Sequence, residues 1–141
     1  MPLARRKVPA SSEALPAMIE FVIGQAKSAG LDEHHLFQVE LATEEILTNI
    51  IKYAYPDGDG DMELACGAGP DGFWMEFSDH GPPFNPLAVA EPTLDAPVSQ
   101  RQVGGLGLFL VRRFMDQVEY ARQGERNVLR IVKSRQGAAG A

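Results

Sequence analysis

The chain has 141 residues and a formal net charge of −6 at pH 7, with 45% hydrophobic and 23% charged residues, the profile of one globular domain that builds its core without staples. The acidic balance leaves no excess of Lys and Arg to neutralise phosphates and argues against direct nucleic-acid binding, although Arg5, Arg6 and Lys7 cluster near the start. The one cysteine, Cys66, excludes an internal disulfide and has no Cys or His at zinc-ligand spacing, and no apolar run is long enough for a membrane span or a secretory signal, so the expected setting is a reducing cytoplasm with no membrane contact.

In chain order, residues near Lys7 to Ala10 suit a short edge strand. Ser11 and Ser12 are N-cap candidates with Glu13 in the first turn, and Pro16 is tolerable only near a helix start. A first helix is expected to about Ser28, on the spacing of Ile19, Val22, Ile23 and Ala26, with Gly30 ending it. Asp32 then caps a second helix from about Glu33 to Tyr55, whose stripe is Val39, Ala42, Ile46, Ile50 and Ala54. Pro56 and the run Asp57-Gly58-Asp59-Gly60 stop it.

Two strands follow near Met62–Gly67 and Phe73–Asp79, joined by the turn signal Gly69-Pro70-Asp71-Gly72. Trp74 and Phe77 fall on opposite faces, so one of them is core. Residues 80–103 hold five prolines and no periodicity, the mark of a functional or disordered loop. Gly104-Gly105-Leu106-Gly107 opens a third helix to about Met115, expected to be well buried through Leu108, Phe109, Val111 and Phe114. Strands near Gln117–Arg122 and Asn127–Lys133 flank Gly124-Glu125-Arg126, and residues 136–141 read as a frayed tail. The order αα–ββ–loop–α–ββ predicts an α+β, two-layer sandwich: a largely antiparallel sheet covered on one face by helices. Residues 1–135 form the expected single domain.

Three segments carry chemistry. Glu45 and Asn49, one turn apart on the second helix, bring a carboxylate and an amide oxygen to one face. Hard oxygens suit Mg²⁺, and a carboxylate there can take a proton from an attacking hydroxyl. Alone, the pair reads first as a solvated polar face, the usual place of exposed charge. Asp79-His80-Gly81-Pro82-Pro83-Phe84 ends a strand with a carboxylate able to accept from an exocyclic amine, or simply makes a turn. The run Gly104-Gly105-Leu106-Gly107-Leu108 lets backbone N–H groups approach a phosphate at a helix start. It lacks the Lys-Ser/Thr of a P-loop and the strand context of a dinucleotide fingerprint. His34 and His35, as helix neighbours, diverge and read as surface residues, and Cys66 reads as a small strand residue.

Together and in this order, Glu44 to Tyr55, Asp79 to Phe84 and Gly104 to Leu108 resemble the N, G1 and G2 boxes of the GHKL ATPases. The resemblance runs from about Pro9 to Lys133. Thr48-Asn49 through Ala54-Tyr55 is similar to the stand-alone bacterial anti-sigma-factor serine/threonine kinases, and at this length no transducer or dimerisation domain is expected beside it.

The resemblance implies a Bergerat-type ATP-binding fold. It implies that Asn49 coordinates Mg²⁺ on the phosphates of ATP or ADP and that Glu45 is the general base. It implies that Asp79 holds the adenine amine, with Gly81 and Phe84 beside it, while Gly104, Gly105, Leu106, Gly107 and Leu108 cradle phosphate. Residues 86–103 would be the lid. The implied partners are a STAS-type anti-anti-sigma protein, the phosphoacceptor, and a sigma factor held by a kinase homodimer. Where some members carry an Arg before the Gly-rich run, Val103 stands here with Arg101 nearby. Where some carry a His or Thr, Tyr53 and Asn127 stand.

Overall fold

A computed structural model describes residues 4–56, 59–86 and 105–134. Strand β1, Ala4–Pro9, starts earlier than the sequence suggests. A 3-10 turn, Ser12–Ala14, precedes helix α1, Leu15–Ser28. Ser11 stands at the N-cap of that turn without a side-chain bond, and Pro16 lies in the first turn of α1, where its missing N–H costs nothing. Gly30, at φ 96°, ends α1 in the left-handed region, with Leu31 N–H returning to Ala26 O at 3.2 Å.

Helix α2, Glu33–Tyr53, begins as expected: Asp32 Oδ1 accepts from His35 N–H at 2.9 Å. Its buried stripe is His35, Val39, Ala42, Thr43, Ile46, Leu47 and Ile50. His35 is therefore not a surface residue. It extends the apolar row one turn back from Val39 and Ala42, while His34 faces out. Thr43 is fully buried, its hydroxyl satisfied by donating to Val39 O at 2.7 Å.

Strands β2, Asp61–Gly69, and β3, Gly72–Asp79, form a hairpin closed by Pro70-Asp71, with Gly69 opposite Gly72. Gly72 sits at φ 133°, and a side chain there would strike the Lys133 carbonyl. Helix α3, Gly105–Phe114, leads to β4, Gln117–Gln123, and β5, Arg126–Lys133, which turn at Gly124. Val111 of α3 is buried and Phe114 partly so, while Arg112 and Arg113 face solvent. The side chains of Leu108 and Phe109 lie outside the described residues, as does the tail at 136–141.

The sheet order is β1-β2-β3-β5-β4, and all four pairings are antiparallel. This is the α+β sandwich that the element order implied. One sheet face, with Met62, Leu64, Cys66, Phe73, Met75, Phe77 and Ile131 almost fully buried, meets Met18, Val22 and Ala26 of α1 and the α2 stripe in one core. Phe77 is the core member of the Trp74/Phe77 pair. Trp74 lies on the other face, capped by the Arg130 guanidinium 4.9 Å from its ring centre. Burial pushes the Cys66 thiol up to about 11, so it is a protonated core group rather than a nucleophile. Among the described residues, no helix is long and apolar enough to cross a membrane.

The far end of the sheet is locked to α3. The buried Lys133 donates from Nζ to Phe114 O at 2.7 Å, capping the last carbonyls of that helix, with Asp116 at 3.8 Å.

Candidate functional site

Between the C-terminal half of α2 and the helix-facing side of the sheet lies a cavity of about 220 Å3. Its α2 wall is Ile46, Asn49, Ile50, Tyr53 and Ala54. Its floor, from three strands, is Phe77, Asp79, Asn127, Leu129 and Tyr120, and its rim is Pro82, Pro83, Phe84 and Pro86. The lining is mostly apolar with a few convergent polar groups, the composition of a small-molecule site. The volume lies below the roughly 300–1,000 Å3 of pockets that engulf a drug-sized ligand, and suits one flat heterocycle whose remainder continues outside.

Asp79 is the last residue of β3 and is only 8% exposed. Its Oδ1 accepts from Gly81 N–H at 2.8 Å and from Asn127 Nδ2 at 3.0 Å. Both bonds end on the same oxygen, so Oδ2 carries neither of them. The first bond is an Asx turn and folds the chain sharply after the strand. Gly81 then passes against the end of α2. A Cβ on it would stand 2.6 Å from Ala54 O and 2.8 Å from Ala54 Cα, closer than backbone atoms permit. Gly81→Ala is therefore expected to destabilise the fold by about 1–3 kcal/mol, the usual cost of overpacking against atoms that cannot step aside. Urea unfolding reads this as a lower midpoint, and an unchanged midpoint would show that α2 gives way. Tyr55 fastens the same corner: its hydroxyl donates to Asp61 O at 2.6 Å and accepts from His80 N–H at 2.8 Å. Its phenol is held above the ordinary value by burial first, with the nearby Asp79 and Asp61 charges adding to the rise.

Asn127, opposite Asp79 in the β3–β5 register, is the centre of the polar cluster. Its Nδ2 also donates to Pro82 O at 2.9 Å, and its Oδ1 accepts from Tyr120 OH at 2.6 Å and Phe84 N–H at 3.1 Å. Arg122 Nη1 donates to Gly81 O at 2.8 Å. The β4–β5 hairpin thus staples the whole turn from Asp79 to Phe84, leaving the Phe84 ring 46% exposed at the mouth. This supporting role of Tyr120, Arg122 and Asn127 has no local sequence signature.

Asn49 enters from the opposite wall. Its Nδ2 donates to Glu45 O one turn back at 2.9 Å, which takes up the nitrogen end and presents the amide oxygen. Glu45 is half-buried on the same face but does not line the cavity. Among the described residues no group of three or more His, Cys, Asp or Glu could hold a metal ion. A cation here would be held by an amide oxygen plus ligand and water oxygens, the arrangement Mg²⁺ accepts. Gly105, Leu106, Gly107 and Leu108 form the first turn of α3, which packs beside α2. Gly104, Val103, Arg101 and residues 87–103 of the expected lid lie outside the described residues, as do the side chains of Leu106 and Leu108.

Comparison with known proteins gives a consistent set of likenesses. The model of the histidine kinase-like ATPase domain matches residues 8–133. The chain is similar to the serine-protein kinase RsbW of Halalkalibacterium halodurans, 33% identical over 116 residues, 79% of this chain and 71% of the relative. It is similar to that of Oceanobacillus iheyensis, 28% identical over 122 residues, 83% of this chain and 77% of the relative. A crystal structure of the RsbU and RsbW domains of a Mycobacterium tuberculosis protein matches with a TM-score of 0.67 at 12% identity, a likeness of fold alone. It covers 95% of this chain and 32% of that longer one.

Proposed function

The chain belongs to the histidine kinase-like ATPase domain family, and on that premise we propose that it is an ATP-dependent protein serine/threonine kinase of the anti-sigma-factor type. The observation that carries the reading is the cavity itself: Asp79 and Asn49 stand on opposite walls of one apolar, base-sized space. Asp79 Oδ2 accepts the exocyclic amine of adenine while Ile50, Phe77 and Leu129 pack on the ring. Asn49, on the α2 wall, would hold through its Oδ1 a Mg²⁺ carried by ATP or ADP where the phosphates leave the cavity. Bound Mg²⁺ would neutralise phosphate charge during transfer. Glu45, one turn before Asn49, takes the proton from the acceptor hydroxyl. The N-terminal turn of α3, with Gly104, Gly105 and Gly107, offers backbone N–H groups to the phosphates.

The acceptor in this reading is a serine or threonine of a STAS-type anti-anti-sigma protein. The second partner is a sigma factor, sequestered by a homodimer of the chain and released when the phosphorylation state changes. The relatives named as serine-protein kinases support the transferase class.

A second reading, a nucleotide-binding partner switch without transfer, is favoured by Glu45 standing outside the cavity lining and by Val103 in place of an Arg. Thermal unfolding with ADP or ATP, each with and without Mg²⁺, tests what both readings share. A nucleotide at a hundred times its Kd adds about 2.7 kcal/mol, and the expected result is a Mg²⁺-dependent rise in midpoint. No rise with either nucleotide would sink both. Transfer of labelled γ-phosphate to a STAS-type protein from the same genome then separates them. Free phosphate appearing with no acceptor present would indicate a slow ATPase instead.

A further inference from the structure

We propose that Asn127 is a positioning residue that makes the cavity selective for a base bearing an exocyclic amine, by locking both itself and Asp79 into one hydrogen-bonding sense. The inference rests on the nucleotide reading above and goes beyond it.

An Asn at a base edge is ordinarily ambivalent. It offers a donor from one end and an acceptor from the other, and a half-turn of the amide exchanges them. Such a residue lining the cavity could greet either a 6-amino or a 6-oxo purine. Asn127 cannot, because its amide has no freedom left. Phe84 N–H is only a donor and therefore fixes Oδ1, at 3.1 Å. Asp79 Oδ1 and Pro82 O are only acceptors and fix Nδ2, at 3.0 and 2.9 Å. Tyr120 OH, which can act either way, must then donate to Oδ1, at 2.6 Å. Both amide hydrogens and the oxygen are committed inside the protein, and the residue is 8% exposed. Turning the amide over would oppose like groups at Phe84 N–H, Asp79 Oδ1 and Pro82 O at once, with only the Tyr120 hydroxyl able to adapt.

The lock also acts on Asp79. A free carboxylate can rotate and present either oxygen, or hold a water that offers a hydrogen to a keto oxygen. Here Oδ1 is pinned by two N–H groups, Asn127 Nδ2 and Gly81 N–H. The carboxylate plane is thereby set, and Oδ2 is the acceptor left for a ligand. A base edge set against Asp79 and Asn127 meets a hydrogen-bond acceptor and no donor from either residue. A 6-amino purine satisfies it, whereas a 6-oxo purine in the same pose sets its O6 against Oδ2, and its N1–H reaches Oδ2 only if the base shifts in the pocket. A buried mismatch of that kind is what allows polar sites to reject an analogue strongly.

The test compares ADP with IDP, which differ only in the group at C6 and the hydrogen that the 6-oxo base carries on N1, by calorimetric titration of the whole chain, so that no transfer is involved. The wild type is expected to prefer ADP by roughly 10²-fold or more. Asn127→Leu removes the pin on Asp79, and Tyr120→Phe removes one hydroxyl that holds the Asn127 amide. Each is expected to lower the ADP-to-IDP ratio, by about tenfold for Asn127→Leu and less for Tyr120→Phe. If both affinities fall together at a constant ratio, Asn127 merely supports the turn and the inference is wrong. Should Asn127→Leu fail to fold, Tyr120→Phe decides by the same ratio. A wild type that binds ADP and IDP equally overturns the inference while the nucleotide reading stands. A wild type that binds neither overturns both.

Discussion

Glu45→Gln is expected to slow phosphoryl transfer by roughly 10²–10⁴-fold, the usual worth of a general base, while nucleotide affinity stays within about twofold of wild type. The separation of the two effects follows from the geometry. Glu45 does not line the cavity, so the base pocket is untouched. Asn49 is steadied by the backbone carbonyl of residue 45, not by its side chain, so the amide oxygen stays where it is when the carboxylate becomes an amide. The substitution keeps shape and removes the negative charge, and with it the ability to accept a proton. Single-turnover transfer of labelled γ-phosphate, set beside an ADP titration of the same variant, reads both quantities. Transfer at the wild-type rate would remove Glu45 from the mechanism and turn attention to the non-transferring reading.

Asp79→Asn should have the opposite signature, a loss of binding with the fold retained. The new side chain can keep an oxygen at the Oδ1 position, so the bonds from Gly81 N–H and Asn127 Nδ2 survive. The other end becomes an NH₂ facing the ligand amine, donor against donor in a largely apolar space. Losing a charge-assisted bond and leaving its partner unsatisfied costs about 2–4 kcal/mol, roughly 30- to 900-fold in Kd. Nucleotide titration, with thermal unfolding of the ligand-free variant as control, checks it. ADP binding at wild-type strength would mean that Asp79 serves the turn and not the base.

Much of this architecture is legible in the amino-acid sequence. The α2 stripe is long and strongly periodic, and Asp32 marks its start chemically, so period and cap agree. Pro70-Asp71 between two glycines specifies a hairpin by backbone sterics alone. These are local signals. His35 defies the expectation of a surface residue because the buried stripe begins one turn before Val39, and a polar residue in the first turn of a helix gives no local hint of burial. The Asp79 turn and Asn49 are legible as candidate groups. Their supports are not: Arg122 and Asn127 act between segments about forty residues apart or more, and Tyr120 acts through Asn127 across a strand pairing. An Asn on a strand carries no mark of the four bonds it will make. Gly81 illustrates a subtler gap, since the sequence suggests a glycine is needed there, and only packing shows that Ala54 is the reason.

The strand order has a consequence for how the molecule assembles. The β2–β3 and β4–β5 hairpins are each local, closed by turns of two residues. Their junction, β3 against β5, brings together positions at least as far apart as Asp79 and Asn127, separated by 48 in sequence. Closing a segment of that length carries an entropic cost that neither hairpin bears, and long-range pairing of this kind is the slow element of a β topology. The two halves of the base-reading cluster are divided between the hairpins, Asp79 on one, Tyr120 and Asn127 on the other. A chain with both hairpins formed and the central seam still open would hold every side chain of the cluster and no pocket. Occupancy by a ligand therefore reports closure of a long-range pairing between the two hairpins, and a ligand that binds there holds the seam shut.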